Sequence, residues 1–364
     1  MNYSREYEKK QNRIIVGMSG GLDSSVTAAL LKQQGHQVTG VIMKIWSGEP
    51  VTGKGKHGCY GPEENEDIED ARKVAAKLDI PFHVIDLTME YKSEVLDYFC
   101  HEYMSGRTPN PCVRCNHRIK FGALISKAES LGIQYDYFAT GHYARIEHDE
   151  LSGRYLLKKG RDPKKDQSYF LFDLSQQQLS RTLFPLGELY KDDVRKMSAR
   201  LQLGMEEKEE SQNFVCGSYT SLFKTPPSAG SIMDKKGNVL GKHSGIEHFT
   251  IGQRKGLRLA CKEPLYVLGI KAEKNAVIVG EKEELYTGSQ TVVDLNWIAI
   301  ECLDAPMEVK ARIRNAHQGY DAMISPKENG KVLVEYKEPQ ICAAPGQAIV
   351  FYDKDTVVGG GIVN

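Results

Sequence analysis

Apolar, β-branched runs alternate with polar stretches of helical spacing along the first half of the chain. The runs at residues 14–16, 37–46, 82–87 and 137–140 predict buried strands. The stretches at residues 25–34 and 66–78 predict helices between them. Alternating strands and helices are typical of an α/β fold with a doubly wound parallel sheet, in which ligands bind at the carboxyl ends of the strands.

The pattern changes in the second half, where glycine turns separate short strands. Alternating apolar and polar residues at 331–336 and 349–352 predict a small antiparallel β-barrel. The 364 residues leave room for two or three domains. We predict a catalytic α/β domain over residues 1–218, a small central β-rich domain over 219–285 and a C-terminal barrel over 286–364.

A glycine- and serine-rich loop joins the first predicted strand to the first helix. It reads Gly17-Met18-Ser19-Gly20-Gly21-Leu22-Asp23-Ser24. A helix N-terminus after a strand attracts anions through its free N–H groups and its dipole. Gly20 and Gly21 let a phosphate approach the backbone, the serines add hydroxyl donors, and Asp23 suits Mg²⁺, which prefers oxygen ligands.

This loop contains neither a Walker A motif nor a dinucleotide fingerprint. It resembles the Ser-Gly-Gly-x-Asp-Ser loop of the ATP pyrophosphatases, the PP-loop superfamily with an adenine nucleotide alpha hydrolase-like fold. Those enzymes split ATP into AMP and pyrophosphate while they adenylate a substrate oxygen. The alternative is an ordinary glycine-rich turn after a strand.

Two other predicted strands end at the same edge of the sheet. Met43 closes the second strand and is placed to touch an adenine, although a core position is the alternative. Gly141 and His142 follow the strand at 137–140, which places them at the nucleotide crevice. A neutral core histidine is the alternative for His142.

A Cys-x-x-Cys pair, Cys112 and Cys115, lies in a stretch rich in cationic residues. The cationic residues are Arg107, Arg114, His117, Arg118 and Lys120. Positive neighbours and a helix that follows favour thiolate, so one of the sulfurs is predicted to be a nucleophile near neutral pH. Three alternatives stay open: a zinc site completed by Cys59, Cys100 and His117, a thioredoxin-type dithiol, and buried structural thiols.

Two further features extend the candidate chemistry. Cys216 precedes a glycine in a short apolar turn, an exposed-loop context that suits a partner for a nucleophile elsewhere, with a buried thiol as the alternative. Residues 154–165 form a basic cluster directly before Gln167 and Tyr169. Such a cluster suits phosphate contacts and base contacts to RNA, although a solvated loop is the commoner meaning of a charge run.

Charge and cysteine content limit the classes of function. Forty-eight basic residues balance 48 acidic ones, so a nucleic-acid site must be a local patch. The sequence has no run of 18 apolar residues and no signal-peptide pattern at residues 1–13, so we expect a cytoplasmic protein without a membrane partner. Eight cysteines are too sparse for a disulfide scaffold, so we expect buried thiols, metal ligands or reactive groups in a reducing cytosol.

Several motifs recur together in one family. They are the loop at 17–24, Asn110-Pro111 with Cys115-Asn116, residues 139–145, residues 165–169 and the Phe-x-Cys-Gly turn at 214–217. In this order they resemble the tRNA-specific 2-thiouridylases, bacterial enzymes that replace the C2 oxygen of the wobble uridine with sulfur. The resemblance covers nearly the whole chain and continues through residues 248–257 and 344–352.

The resemblance implies a role for each matching position. ATP would be bound by Gly17, Met18, Ser19, Gly20, Gly21, Leu22, Asp23, Ser24, Met43 and Gly141. Cys115 matches the nucleophile and Cys216 the cysteine that carries a persulfide. Asn110, Pro111 and Cys112 would face the target base, and several members have aspartate, a candidate acid–base group, where this chain has Cys112. tRNA would be contacted by His142, Lys165, Asp166, Gln167, Arg312, Ile313 and Gln347.

The implied reaction uses ATP and Mg²⁺ to adenylate the C2 oxygen of uridine 34, and a persulfide donor protein to supply sulfur. Sulfur would pass to C2 directly from the Cys216 persulfide, or as sulfide that is released when Cys115 forms a transient disulfide with Cys216. We also expect the Cys216 loop to move. Two other functions are weighed: an ATP pyrophosphatase that forms an amide or amidine without these cysteines, and an RNA-binding protein with a structural zinc site.

Overall fold

The computed structural model describes residues 11–49, 58–208, 213–224 and 226–364. Their backbone forms two compact units. The first contains the described residues of Met1–Glu94, Cys112–Tyr219 and Asp355–Val357, and the second those of Val95–Pro111, Thr220–Lys354 and Val358–Asn364. Within the described ranges, no helix combines the length and the apolar character needed to cross a bilayer.

The first unit is built on a parallel sheet. Its strands are β1 (Arg13–Gly17), β2 (Gln37–Lys44), β3 (Gly58–Tyr60), β4 (Phe82–Asp86), β5 (Tyr137–Thr140), β6 (Ala144–Asp149), β7 (Arg154–Lys159), β8 (Thr182–Leu183) and β9 (Asn213–Val215). Five of these pair in parallel in the order β4-β2-β1-β5-β8. β6 and β7 form an antiparallel hairpin, and β3 pairs in parallel with β9.

Helices connect these strands. They are α1 (Leu22–Gln33), α2 (Glu64–Lys77), α3 (Thr88–Tyr91), α4 (Tyr98–Met104), α5 (Pro111–Arg114), α6 (Leu124–Ser130), α7 (Gln176–Ser180) and α8 (Lys191–Arg200), with π-helical segments at Lys92–Asp97 and Cys115–Ala123. Short 3₁₀ turns lie at Ser168–Leu171, Tyr219–Leu222, Ile246–His248, Ala272–Lys274, Lys282–Leu285 and Glu328–Gly330.

The sheet is doubly wound, as the sequence predicts. From β1 the chain builds β2 and β4 on one side and β5 and β8 on the other, so the winding reverses between β1 and β5. Ile14 and Val16 of β1 are buried with Val26 and Leu31 of α1 in one core, which explains the continuous apolar run of this strand. The carboxyl ends of β1 and β5 therefore border the crevice where such folds bind ligands.

The helix after β1 begins earlier than the sequence indicates. α1 starts at Leu22 rather than at residue 25, because Gly21 is extended and the helical turn follows it at once. Asp23 and Ser24 therefore belong to the first helical turn, where N–H groups have no partner within the helix.

The second unit is β-rich. Its strands are β10 (Gly230–Met233), β11 (Val239–His243), β12 (Tyr266–Lys271), β13 (Ala276–Gly280), β14 (Tyr286–Trp297), β15 (Met307–Arg312), β16 (Tyr320–Lys327), β17 (Lys331–Ile341), β18 (Ala348–Asp353) and β19 (Thr356–Val363). β10 to β13 form a small sheet in the order β11-β10-β13-β12. β14 to β19 follow the order β14-β17-β16-β15-β18-β19, and β14 also pairs with β19, which closes an antiparallel barrel. The predicted fold class is confirmed.

Candidate active site

The loop after β1 is held by its own hydroxyl groups. The hydroxyl of Ser24 accepts the N–H of Ser19 at 3.0 Å and donates to the carbonyl of Gly21. Ser25 donates to the same carbonyl at 2.8 Å. Ser24 and Ser25 therefore shape the loop, whereas Ser19 is exposed.

Gly20 is required by its conformation and by its neighbour. Its φ is +66°, and a Cβ at this position would lie 2.3 Å from the carbonyl oxygen of Asp67 on α2. Only glycine allows α2 to approach the loop this closely. Packing against α2 is therefore one reason for glycine at this position, and access for phosphate stays a prediction.

Asp23 is bound by two donors from other elements. Nζ of Lys191 lies 2.7 Å from Oδ1 and 2.8 Å from Oδ2 of Asp23, and the hydroxyl of Tyr143 donates to Oδ1 at 2.8 Å. Lys191 is only 4% exposed, and its backbone N–H donates to Asp162. A cation thus lies beside the first turn of α1 before any ligand arrives.

Sequence reasoning missed Lys191. It is the first residue of an amphipathic helix whose neighbouring lysines, such as Lys196, are exposed. A lysine in that position ordinarily faces solvent. The signal was absent because its partner, Asp23, is 168 residues away in sequence.

The other predicted nucleotide contacts divide into two groups. A Cβ at Gly141 would lie 2.8 Å from the carbonyl carbon of Asp23, so β5 brings Gly141 against the start of α1. Met43 is half-buried near the end of β2. Met18 and Leu22 instead point into the core, where the Met18 sulfur packs over Gly40. Nucleotide contacts from Met18 and Leu22 must therefore come from the backbone.

The segment that contains Cys112 and Cys115 is helical throughout, which differs from the expected helix after the cysteines. α5 starts at Pro111, and a π-helical turn continues from Cys115 to Ala123. As whole residues Cys112 is exposed and Cys115 is half-buried, but protein surrounds the sulfur atom of each.

The prediction that this environment favours thiolate is wrong for the resting protein. Desolvation raises the pKa of Cys112 to about 12 and that of Cys115 to about 11, and Lys120 opposes this rise at both thiols. Carboxylates lie beside several of the other basic residues: Arg114 pairs with Glu94 at 2.8 Å, Arg107 with Glu102 at 2.8 Å, and the His117 ring lies 2.6 Å from Asp173. Surrounding protein therefore outweighs the local charge that the sequence suggested.

Cys216 is buried rather than exposed on a loop. It follows β9, its N–H donates to the carbonyl of Tyr60 at 2.9 Å, and its side chain is 9% exposed. The thiol donates to Oε1 of Glu63 at 3.2 Å. Desolvation and the Glu63 carboxylate both raise the pKa of Cys216.

All eight cysteines fall in the described part of the chain, and all are free thiols. Over that same part, no three His, Cys, Asp or Glu side chains form a group able to hold a metal ion. The zinc site considered for Cys59, Cys100 and His117 is therefore not assembled there.

Several predicted tRNA contacts in the first unit have structural partners. Asp166 is buried and accepts the N–H groups of Gly160 and Ser168, so its carboxylate shapes the loop rather than the surface. Gln167 accepts the N–H of Tyr143. Lys165 and Gln167 are each partly exposed.

His142 keeps a neutral ring. Its Nδ1 lies 2.7 Å from the hydroxyl of Thr140, and its ring packs between Phe121 and Phe184. Burial, together with the charge of Lys120, lowers the pKa of His142 well below its usual value. The ring therefore suits stacking or hydrogen bonding with a base rather than an ionic contact with phosphate.

The predicted contacts in the second unit divide in the same way. Arg312 is 5% exposed, and its guanidinium stacks on Tyr352 and donates to Asn315. Ile313 belongs to the barrel core. Neither side chain therefore faces the surface. Gln347 is half-buried, and its side chain accepts the N–H of Ala344.

The residues just before Asn110 and Pro111 contact the turn before Gln347. The N–H of Thr108 donates to the carbonyl of Pro345 at 2.7 Å. The structure therefore brings Thr108 and the Gln347 turn together within the second unit, whereas Cys112, the third residue predicted to face the base, belongs to the first unit.

Three protein-family models match the chain in succession. They describe a tRNA methyl transferase HUP domain over residues 12–217, a tRNA methyl transferase PRC-barrel domain over 223–281 and an aminomethyltransferase β-barrel domain over 288–363.

Curated relatives match the chain over nearly its full length. The chain is 48% identical over 356 residues to tRNA-specific 2-thiouridylase MnmA of Endomicrobium trichonymphae, covering 96% of this chain and 98% of the relative. It is 48% identical to the protein of that name from Syntrophotalea carbinolica, covering 97% and 99%, and 44% identical to that from Clostridium perfringens, covering 97% and 98%.

Proposed function

Because the chain belongs to the family of tRNA-specific 2-thiouridylases, we propose that it replaces the C2 oxygen of uridine 34 in tRNA with sulfur, converting ATP to AMP and diphosphate. One observation carries the proposal. The anion-binding loop with Asp23 and Lys191 and the three thiols Cys112, Cys115 and Cys216 belong to the same compact unit.

The first step is adenylation of the base. A uridine C2 oxygen is a poor leaving group, and transfer of adenylate from ATP converts it into the oxygen of AMP. The first turn of α1 offers N–H groups to the phosphates, and Lys191 adds a buried positive charge beside them. These groups stabilise the negative charge that develops on the leaving diphosphate.

Mg²⁺ fits this arrangement with Asp23 as its protein ligand. Oδ2 of Asp23 accepts one hydrogen bond, from Lys191, so one lone pair is left for an ion. Mg²⁺ commonly takes one carboxylate and completes its shell with phosphate oxygens and water. When bound, it would neutralise phosphate charge.

The second step delivers sulfur. A persulfide donor protein transfers its outer sulfur to Cys216, and the Cys216 persulfide either attacks C2 directly or is attacked by Cys115. In the latter route the S–S bond to the outer sulfur breaks, sulfide leaves with the electron pair, and a Cys115–Cys216 disulfide forms. The burial of Cys216 supports a movement of its segment before either route.

The tRNA contacts that we propose within each unit are fewer than the resemblance implies. His142, Lys165 and Gln167 in the first unit, and Asn110 and Gln347 in the second, keep partly accessible side chains. Free thiols and a tRNA substrate both fit a cytoplasmic location. The three family matches support the proposed division into residues 1–218, 219–285 and 286–364.

The test is incubation of unmodified tRNA with the full chain, ATP, Mg²⁺ and a persulfide source, followed by mass analysis of nucleosides. We expect 2-thiouridine with the wild type and with Cys302→Ser, whose exposed thiol lies in the second unit, and none with Cys216→Ser. AMP that accumulates while no uridine gains sulfur would contradict thiolation. Full turnover by Cys115→Ser and Cys216→Ser would favour amide or amidine formation instead.

A further inference from the structure

The carboxylate of Glu63 lies against the Cys216 thiol, within the first unit. Sγ of Cys216 donates to Oε1 of Glu63 at 3.2 Å. The other carboxylate oxygen, Oε2, is buried and has no hydrogen-bond partner among the residues that the structure describes. One oxygen of Glu63 therefore contacts the thiol proton, while the second keeps its lone pairs.

The backbone fixes the positions of these two residues. Glu63 is the N-cap residue of α2, and its side chain makes no capping hydrogen bond. Cys216 follows β9, and its N–H donates to the carbonyl of Tyr60 on β3. Gly61 leaves room for both side chains, because a Cβ there would lie 2.7 Å from Cβ of Cys216 and 3.0 Å from Oε2 of Glu63. The carboxylate is thus held beside the thiol without a part in helix capping.

The neighbouring glutamates at the start of α2 have other surroundings. Glu64 is buried, and its Oε1 accepts the N–H groups of Ile45 and Trp46 at 2.6 and 3.0 Å. Glu64 therefore holds the segment after β2 in place. Glu66 is exposed. Of these three glutamates, Glu63 is the one whose carboxylate is bonded to a nucleophile.

The Cys216 thiol must lose its proton when it accepts sulfur, because the thiolate is the form that attacks a persulfide. Desolvation and the Glu63 carboxylate both raise the pKa of Cys216, so the resting residue is a thiol at neutral pH. The carboxylate that disfavours the free thiolate is also the group placed to take the proton at the moment of attack.

We propose that Glu63 is the general base, and then the general acid, for loading of sulfur onto Cys216, an inference that deepens the proposed function and rests on it. As the Cys216 sulfur attacks the outer sulfur of the donor persulfide, its proton passes to Glu63 and a new S–S bond forms. The S–S bond of the donor breaks, and the donor's inner sulfur leaves with the electron pair and takes the proton from Glu63. One thiol and one persulfide become one persulfide and one thiol, so no added oxidant or reductant is needed.

The test measures loading of Cys216 in the full chain, without tRNA or ATP, with cysteine persulfide as the sulfur source. Rapid alkylation and peptide mass analysis follow the persulfide on Cys216. We expect Glu63→Gln to slow loading about 100-fold at pH 7, because an amide accepts a hydrogen bond but does not take up the proton. The matched control is Glu66→Gln, which changes an exposed side chain near the same end of α2 and should load at the wild-type rate.

Alkylation of Cys216 by iodoacetamide separates proton transfer from a structural role. Iodide leaves without a proton, so the rate of this reaction follows the thiolate fraction. Removal of the Glu63 charge lowers the pKa of Cys216, so Glu63→Gln should be alkylated a few-fold faster at pH 8 although it loads more slowly. Loading at the wild-type rate or faster, or a similar fall in both rates, would overturn the role of Glu63.

Three further outcomes separate the role of Glu63 from the function of the chain. If the wild type loads Cys216 but forms no 2-thiouridine, thiolation fails as the function, and the loading rates still decide whether Glu63 moves the proton. If the wild type forms 2-thiouridine and Glu63→Gln loads normally, thiolation stands and the general base is rejected. If wild-type Cys216 gains no persulfide, the persulfide route and the role of Glu63 are both contradicted.

Discussion

The loop after β1 and the cysteine segment at residues 112–123 were both predicted from short motifs, but the structure supports them unequally. In the loop, glycines, a helix start and an acidic residue assemble where the motif indicates. In the cysteine segment, the thiols are placed on a helix, but their pKa values rise rather than fall. The conformation of the loop after β1 is specified by its own residues. Ionisation of the thiols depends instead on residues distant in sequence, which bury the thiols and pair with nearby cations.

The largest expected effect concerns the loop. Lys191→Gln removes the buried cation from Asp23 and should lower the rate of AMP formation by about 100-fold, the usual loss for one positioned donor. The matched control is Lys196→Gln, because Lys196 lies on the same helix with an exposed side chain. Equal rates for both variants, measured by release of labelled diphosphate, would remove Lys191 from the site.

A backbone change should have the next largest effect. Gly20→Ala places a Cβ against Asp67 at a positive φ, so we expect the free energy of unfolding to fall by about 2–3 kcal/mol and ATP binding to weaken. Gly35→Ala has a similar φ of +87° but open space around it, and should cost about 1 kcal/mol. Urea unfolding measures both, and equal losses would show that the close approach of α2 does not matter.

The cysteine segment predicts a pH dependence. With a pKa of about 11, Cys115 is thiolate in about one molecule in ten thousand at pH 7. The rate of its alkylation by iodoacetamide should therefore rise about 10-fold per pH unit from 7 to 9 and continue to rise above the usual thiol range. Peptide mass analysis of the resting protein measures this rate. An alkylation rate that stops rising near pH 7 would show that Cys115 has a low pKa, as the sequence predicts.

The smallest expected effect concerns Lys120, the cation that acts on the pKa of Cys115. Lys120→Met removes the cation that opposes desolvation, so the pKa of Cys115 should rise further and its alkylation at pH 8 should slow by a few-fold. Lys120→Arg keeps the charge and should keep the rate. Faster alkylation in Lys120→Met would mean that Lys120 shields the thiol instead of stabilising its thiolate.

The sequence was sufficient for features that are local in the chain. The apolar run at Ile14–Val16 and the alternation in β17 and β18 predict the parallel sheet and the barrel, because each reflects a period of the backbone. The role of Lys191 could not be predicted, and the sequence left the burial of Cys216 as an open alternative, since both depend on contacts between residues far apart in sequence.

The residues predicted to contact tRNA are subject to the same limit, because their exposure also depends on contacts between distant parts of the chain. Arg312 and Asp166 carry charges that suggest RNA contacts, but the structure uses both inside the protein. The π-helical turn at Cys115 also departs from the helical period on which sequence patterns rely. Sequence motifs thus nominate candidate residues, whereas the burial, pairing and pKa of those residues depend on the whole fold.

The central claim is that the departing C2 oxygen of uridine 34 leaves on AMP. The most direct measurement uses a tRNA whose uridine 34 contains ¹⁸O at C2, with mass analysis of both the nucleoside and the AMP after a single turnover. The account predicts that each 2-thiouridine formed is matched by one ¹⁸O in the phosphate of AMP. Sulfur incorporation with unlabelled AMP would contradict it.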